Sequence, residues 1–165
     1  MSSTSLRCLL LAAALGTVVA GIGSRQTAAA SERPRERVVV AASQASNKYT
    51  EICQACHQAT GLGLEGVFPP LAGSEWLKGN STIPIAIVLK GLQGEIAVKG
   101  KTYNSVMMAW ESALNDDDLA ATLTYARSQW GNRAAAITSA QVKAARLKFK
   151  ARTTPWTAAE LRAIR

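Results

Sequence analysis

Residues 53–57 read Cys-Gln-Ala-Cys-His, and they hold two of the three cysteines and the only histidine in a chain of 165 residues. Few folds explain that clustering. A disulfide between Cys53 and Cys56 would close a loop too small to stabilise much. Structural zinc needs four closed ligands, and outside Cys8 only carboxylates remain to complete the set. A dithiol redox motif belongs beside a strand–helix unit, and no parallel-sheet pattern surrounds this one.

The spacing suits another chemistry. Thiols three residues apart on a helical turn project to one side, where each forms a thioether to a vinyl group of one porphyrin. Cys-x-x-Cys-His is the attachment signature of such a covalent haem c, one per chain here. His57 then follows the second thiol beneath the ring, as a proximal ligand to the iron. With no second histidine, a six-coordinate iron takes methionine as its distal ligand. Beyond the initiator only Met107 and Met108 are available, adjacent in "YNSVMMAW", and spacing leaves the choice between them open.

The surrounding pattern is helical. Tyr49, Ile52, Cys53 and Cys56 share one face of a helix expected over 47–56, with Ser46 as N-cap. Glycines and prolines make 60–73 a loop, and a short helical turn follows Ser74. A helix is expected from about Thr82 to a stop at Gly91, with Pro84 tolerated in its first turn. "EIAVKGKTY" alternates around Lys99-Gly100 as a small hairpin would. Asn115 and three acids open the clearest helix, with Leu119, Leu123 and Trp130 on one face and Gly131 as its stop. Capping boxes at Thr138/Gln141 and Thr157/Glu160 start two more helices, near 139–151 and 157–164. The first is basic through Lys143, Arg146, Lys148 and Lys150, and reads as a solvated face.

The N-terminus has a different character. A basic start, an uncharged run from Cys8 to Ser24 and Ala-x-Ala residues at Ala28 and Ala30 read as a secretory signal over 1–30. A retained membrane anchor is the alternative, and either outcome puts the folded part outside the cytoplasm. Cys8 lies within the apolar run as a small hydrophobe. Residues 31–45 read as a linker. The net charge of +8 falls to about +6 without Arg7 and Arg25. Basic clusters without interleaved aromatics give no support to nucleic-acid binding.

In this order the motifs resemble a class I c-type cytochrome: monohaem, bacterial and His/Met-ligated. "YTEICQACH" resembles the family's first helix and "FPPLAG" its Pro-x-Leu-x-Gly loop, which implies that the Pro69 carbonyl accepts a hydrogen bond from the ligand histidine. "YNSVMMAW" resembles the bacterial Y-N-x-x-M-P-x-W distal loop. The match implies Met107 as ligand, with Met108 as the alternative, and puts Trp110 near a haem propionate; Met108 and Ala109 stand where prolines are common. "LNDDDLAATLTYARSQWGN" resembles the last helix, implying that Tyr125 crosses the first helix near Tyr49.

The resemblance spans about 46–132 and leaves 133–165 as a basic helical C-terminal extension. It implies an all-α cytochrome c fold of three to five helices around one haem. The expected function is an exported, periplasmic carrier of single electrons, not an enzyme. It would run between a dehydrogenase donor and an oxidase or other cytochrome acceptor; lysines such as Lys78, Lys90, Lys99 and Lys101 could steer an acidic partner, although each by itself reads as a solvated cation. A fixed haem subunit of a larger oxidoreductase is the alternative. A peroxidase or ligand-binding haem protein is disfavoured by the lack of a distal histidine.

Overall fold

A computed structural model describes residues 43–164, which belong to one compact unit. The expected signal or anchor and all but the end of the expected linker lie outside the described residues. Among those described, six helices and one hairpin are present, and no helix is long and apolar enough to cross a membrane.

Helix α1 covers residues 43–57. It starts ahead of the expected Ser46 cap, because Ser46 Oγ donates back to the Ser43 carbonyl at 2.9 Å inside a turn already formed. Its middle, Tyr49–Cys53, winds as a π turn, and Gln54–His57 returns to α geometry. Such π turns in α-helices are frequent at functional sites, and this one lies directly before the second thiol and the imidazole.

Helix α2 is Glu75–Lys78 and α3 is Thr82–Lys90. Pro84 through Leu89 are all buried, so α3 runs through the core rather than along its surface. Strands β1 (Glu95–Val98) and β2 (Lys101–Asn104) pair antiparallel, with Ile96 opposite Tyr103. Lys99 and Gly100 both take positive φ, 52° and 75°, as a two-residue hairpin turn requires. The buried side of this ribbon is Ile96, Val98 and Tyr103. The fold is therefore helical but not strictly all-α. Period-two burial and a tight turn hold this stretch as strands.

Helix α4 is Asp116–Ser128, and its Asn115 cap accepts from the Asp118 amide at 2.8 Å. It ends before Trp130, which has φ 52° and lies beyond the helix rather than on its face. Arg127, 3% exposed, donates to the carbonyls of Leu77, Gly79 and Ala135. It thus caps the C-terminal end of α2, where a cation is favoured. Asn132 joins the end of α4 to the loop before α2 by accepting from the Gly73 amide and donating to Leu71 and Ala126 carbonyls.

Helices α5 (Ser139–Lys148) and α6 (Ala158–Arg162) each start in a complete capping box, at Thr138 and Thr157, and are shorter than their caps suggest. Val142 of α5, Leu161 of α6 and the flanking Phe149 and Trp156 enter the same core as α3 and α4. The basic side of α5 is divided. Lys143, Lys148 and Lys150 are exposed, whereas Arg146 binds Asp116 at 2.9 Å and the carbonyls of Glu111 and Leu114. The expectation of a wholly solvated face fails at Arg146, whose guanidinium meets carbonyls at the mouth of α4.

Candidate functional site

The end of α1 brings Cys53 and His57 to one wall of an apolar cavity. Cys53, His57, Pro69 and Met107 line an inner compartment of about 100 Å³, with Leu119, Thr122 and Leu123 of α4 and Ile87 and Val88 of α3. An outer compartment of about 290 Å³ is lined by Cys53, Cys56, His57, Pro69, Met107, Met108 and Trp110. All seven residues singled out in the sequence meet there. Together the compartments suit a cofactor-sized guest with a few converging polar groups.

The imidazole is held in one orientation. His57 is buried, and its Nδ1 lies 3.0 Å from the Pro69 carbonyl oxygen. A carbonyl only accepts, so Nδ1 carries the proton and Nε2 keeps its lone pair. Burial lowers the imidazole pKa, and the Pro69 hydrogen bond opposes that in part. The ring is therefore neutral near pH 7, the form that ligates a metal.

The Pro69 carbonyl owes its place to a glycine. Gly63 has φ +67°, and a Cβ there would meet the Phe68 and Pro69 carbonyl oxygens at 2.3 and 2.7 Å. Only glycine permits that approach. The Gly63 amide also donates to the His57 carbonyl at 3.0 Å, which ties the loop back to α1.

The cysteines are not joined to each other. Burial, followed by the neighbouring Cys56, pushes the Cys53 thiol up to about 11, so it is an uncharged sulfur at neutral pH. Behind α1, Tyr49 is clasped by aromatic rings, with Tyr125 at 5.5 Å and Trp130 at 5.1 Å between centroids. Its hydroxyl donates to the Gln58 carbonyl at 2.7 Å, which fixes the end of the helix carrying His57.

The two methionines differ. Met107 is partly buried and lines both compartments, whereas Met108 reaches only the outer one and is 65% exposed. The sequence reading passed over two features. Leu92 pairs with Met107 through two backbone hydrogen bonds, 2.9 and 2.8 Å; its position directly after the Gly91 stop was the available signal. Thr122 Oγ1 is buried without a hydrogen-bond partner and lines the inner compartment; the hydroxyl on the buried face of α4 was visible, but its orphaned state was not.

The donor set fits a haem. Two thiols are spaced for two vinyl groups, an imidazole keeps a free Nε2, apolar walls enclose the site, and one unpaired hydroxyl faces it. Among the described residues no cluster of three or more His, Cys, Asp or Glu gathers to hold a metal directly.

Known proteins agree with this chemistry. The family model for cytochrome c matches residues 42–130. A cytochrome c-552 of Thermus thermophilus is 44% identical over 84 residues, which are 48% of this chain and 63% of that protein. A gluconate 2-dehydrogenase cytochrome c subunit of Pantoea cypripedii is 34% identical over 100 residues, 56% of this chain and 21% of the subunit. The cytochrome c subunit of a quinone alcohol dehydrogenase from Gluconobacter oxydans is 29% identical over 93 residues, 56% of this chain and 19% of the subunit. The chain thus spans less than two thirds of the length of each of these relatives. With the family model covering the motif, the loop and the cavity-lining helix, this chain belongs to the cytochrome c family, as a monohaem class I member whose Cys53 and Cys56 carry covalently attached haem c.

Proposed function

We propose that this protein is an exported carrier of single electrons between a periplasmic or membrane dehydrogenase and a respiratory acceptor. The observation that carries the reading is the convergence of Cys53, Cys56, His57 and Met107 on one apolar cavity. When bound, haem supplies a reversible one-electron iron couple. Cys53 and Cys56 would tether it through thioethers, and His57 would hold the iron through its free Nε2. The hydrogen bond to Pro69 fixes the imidazole orientation and raises its basicity. Met107, the partly buried methionine, would supply the other iron ligand, and Trp110, which lines the same compartment, would stand near a propionate. The leucines and valines of α3 and α4 exclude water, which favours the less charged state of the site. Residues 46–132 supply this unit and 133–165 extend it.

The outer rim supports transfer to a protein partner. Leu62, Leu64, Val67, Val106 and Met108 are exposed apolar side chains in the two segments beside the cavity mouth. Ser105 Oγ links those segments by donating to the Val67 carbonyl at 2.6 Å. Of the lysines expected to steer a partner, Lys90 is partly buried and paired with Glu111 at 2.5 Å, and Lys101 is paired with Glu65. A second reading, a fixed haem subunit of a dehydrogenase, draws on the matches to relatives named as such subunits. One large protein coeluting with the chain from mild membrane extracts would favour that subunit reading over a free carrier.

Absorption spectra test the ligand set. Haem stays with the protein through acid–organic extraction. The weak long-wavelength band of thioether-ligated ferric haem disappears in Met107→Ala and persists in Met108→Ala. The reverse pattern transfers the ligand role to Met108.

A further inference from the structure

The Met107 segment has no proline to stiffen it: between Pro84 and Pro155 the sequence contains none. It is held from outside instead. Leu92 forms an antiparallel bridge with Met107 on one side and a parallel bridge with Trp156 on the other. On the second side the Gln93 amide donates to the Trp156 carbonyl at 2.8 Å, and the Trp156 amide donates to the Gly91 carbonyl at 3.0 Å. Three chain segments thus form a short ladder, with the C-terminal extension at one edge and the proposed ligand at the other.

Trp156 is itself locked. Its indole is buried, and Nε1 donates to the Ala86 carbonyl of α3 at 3.1 Å. Phe149 meets it edge-on at 5.0 Å, and the Arg152 guanidinium lies 3.7 Å from its ring centroid. Arg152 is held in turn by the Glu160 carboxylate at 2.8 Å. The extension also grips the far end of the segment. Arg146 donates to the carbonyls of Glu111 at 3.0 Å and Leu114 at 2.9 Å, while Glu111 pairs with Lys90.

We propose that residues 133–165 brace the methionine loop, with Trp156 and Arg146 as positioning residues for the Met107 thioether. The proposal rests on the reading of Met107 as the axial ligand. An unbraced loop samples conformations in which the thioether is away from the metal, and fixing its backbone removes that entropy in advance. A competing ligand binds only the thioether-off population, so its apparent affinity reports how well the loop is held.

The experiment titrates ferric holoprotein with imidazole, following loss of the long-wavelength band, alongside thermal unfolding. Trp156→Ala and Arg146→Gln each raise imidazole affinity about tenfold, equivalent to ~1.4 kcal/mol. Trp156→Phe, which keeps an aromatic ring at the site but loses the indole hydrogen bond and part of the packing, raises it less. Ile85→Ala, in α3 and buried but not lining the cavity, supplies a variant of similar stability loss and leaves the affinity unchanged. Wild-type affinity in Trp156→Ala overturns the brace, as does an equal rise in Ile85→Ala. If Trp156→Ala does not fold, Trp156→Phe and Arg146→Gln decide, and wild-type affinity in both overturns it. A wild-type protein without the band, or a band that survives Met107→Ala, overturns the ligand reading instead.

Discussion

Single residues set the two backbone carbonyls nearest the proposed axial groups. Gly63 lies against the Pro69 carbonyl, and Gly91, at φ +80°, lies so close to Met107 that a Cβ would meet its carbonyl oxygen at 2.6 Å. Either glycine replaced by alanine combines left-handed strain with a backbone collision, which costs of order 1–3 kcal/mol or more. Gly63→Ala is expected to lower the thermal midpoint and also to shift the reduction potential, because it displaces the acceptor of the His57 hydrogen bond. An unchanged potential with a lowered midpoint would show that the imidazole does not depend on that loop. Both glycines were plain in the sequence as punctuation. Which carbonyl each one admits was not, because that depends on a chain segment brought there by folding.

Among the elements, helix starts were the most legible: the Asn115 cap of α4 first, then the two capping boxes of the extension. The Thr157 and Glu160 side chains each accept from the other residue's backbone amide, and Glu160 also binds Arg152, which stacks on Trp156. The Thr157 amide first, then its hydroxyl and Arg152, hold the Glu160 carboxyl below its usual 4.5. Because the folded value is depressed, the contribution to stability is complete above the unfolded value and is lost as pH falls through the folded one. Acid below about pH 4.5 is therefore expected to loosen α6, and Glu160→Gln to remove that acid-side transition in helicity or amide exchange. Persistence of the transition in Glu160→Gln would assign it to another group. At this scale the π turn of α1 and the early end of α4 escaped the sequence. Apolar spacing reads much the same through a single wide turn, and Trp130 has helical spacing from Leu119 and Leu123 although it packs on Tyr49 from outside the helix.

For the whole molecule, the distribution of exposed groups predicts how it meets an electrode or a partner. The apolar rim lies at the cavity mouth, whereas Lys143, Lys148 and Lys150 are exposed on the extension. On a methyl-terminated monolayer, electron transfer should be fast and survive a rise in ionic strength to about 0.5 M, where exposed charges are largely screened. On a carboxylate-terminated monolayer, adsorption through those lysines should make it slower. Faster transfer on the carboxylate surface would show that charge, not the apolar rim, orients the molecule.

Attachment chemistry was already determined in the linear chain, since two thiols and an imidazole within five residues have the same mutual geometry wherever that helical turn is placed. Caps and the hairpin turn were equally local, each depending on hydrogen bonds or φ values within a few residues. Tertiary structure alone decided which methionine is turned inward and that Trp156 is laddered through Leu92 to Met107. It also turned Arg146 and Lys90, which read as solvated cations, into parts of the frame. Those outcomes join residues tens of positions apart, and their partners are selected by packing of the shared core rather than by any local spacing.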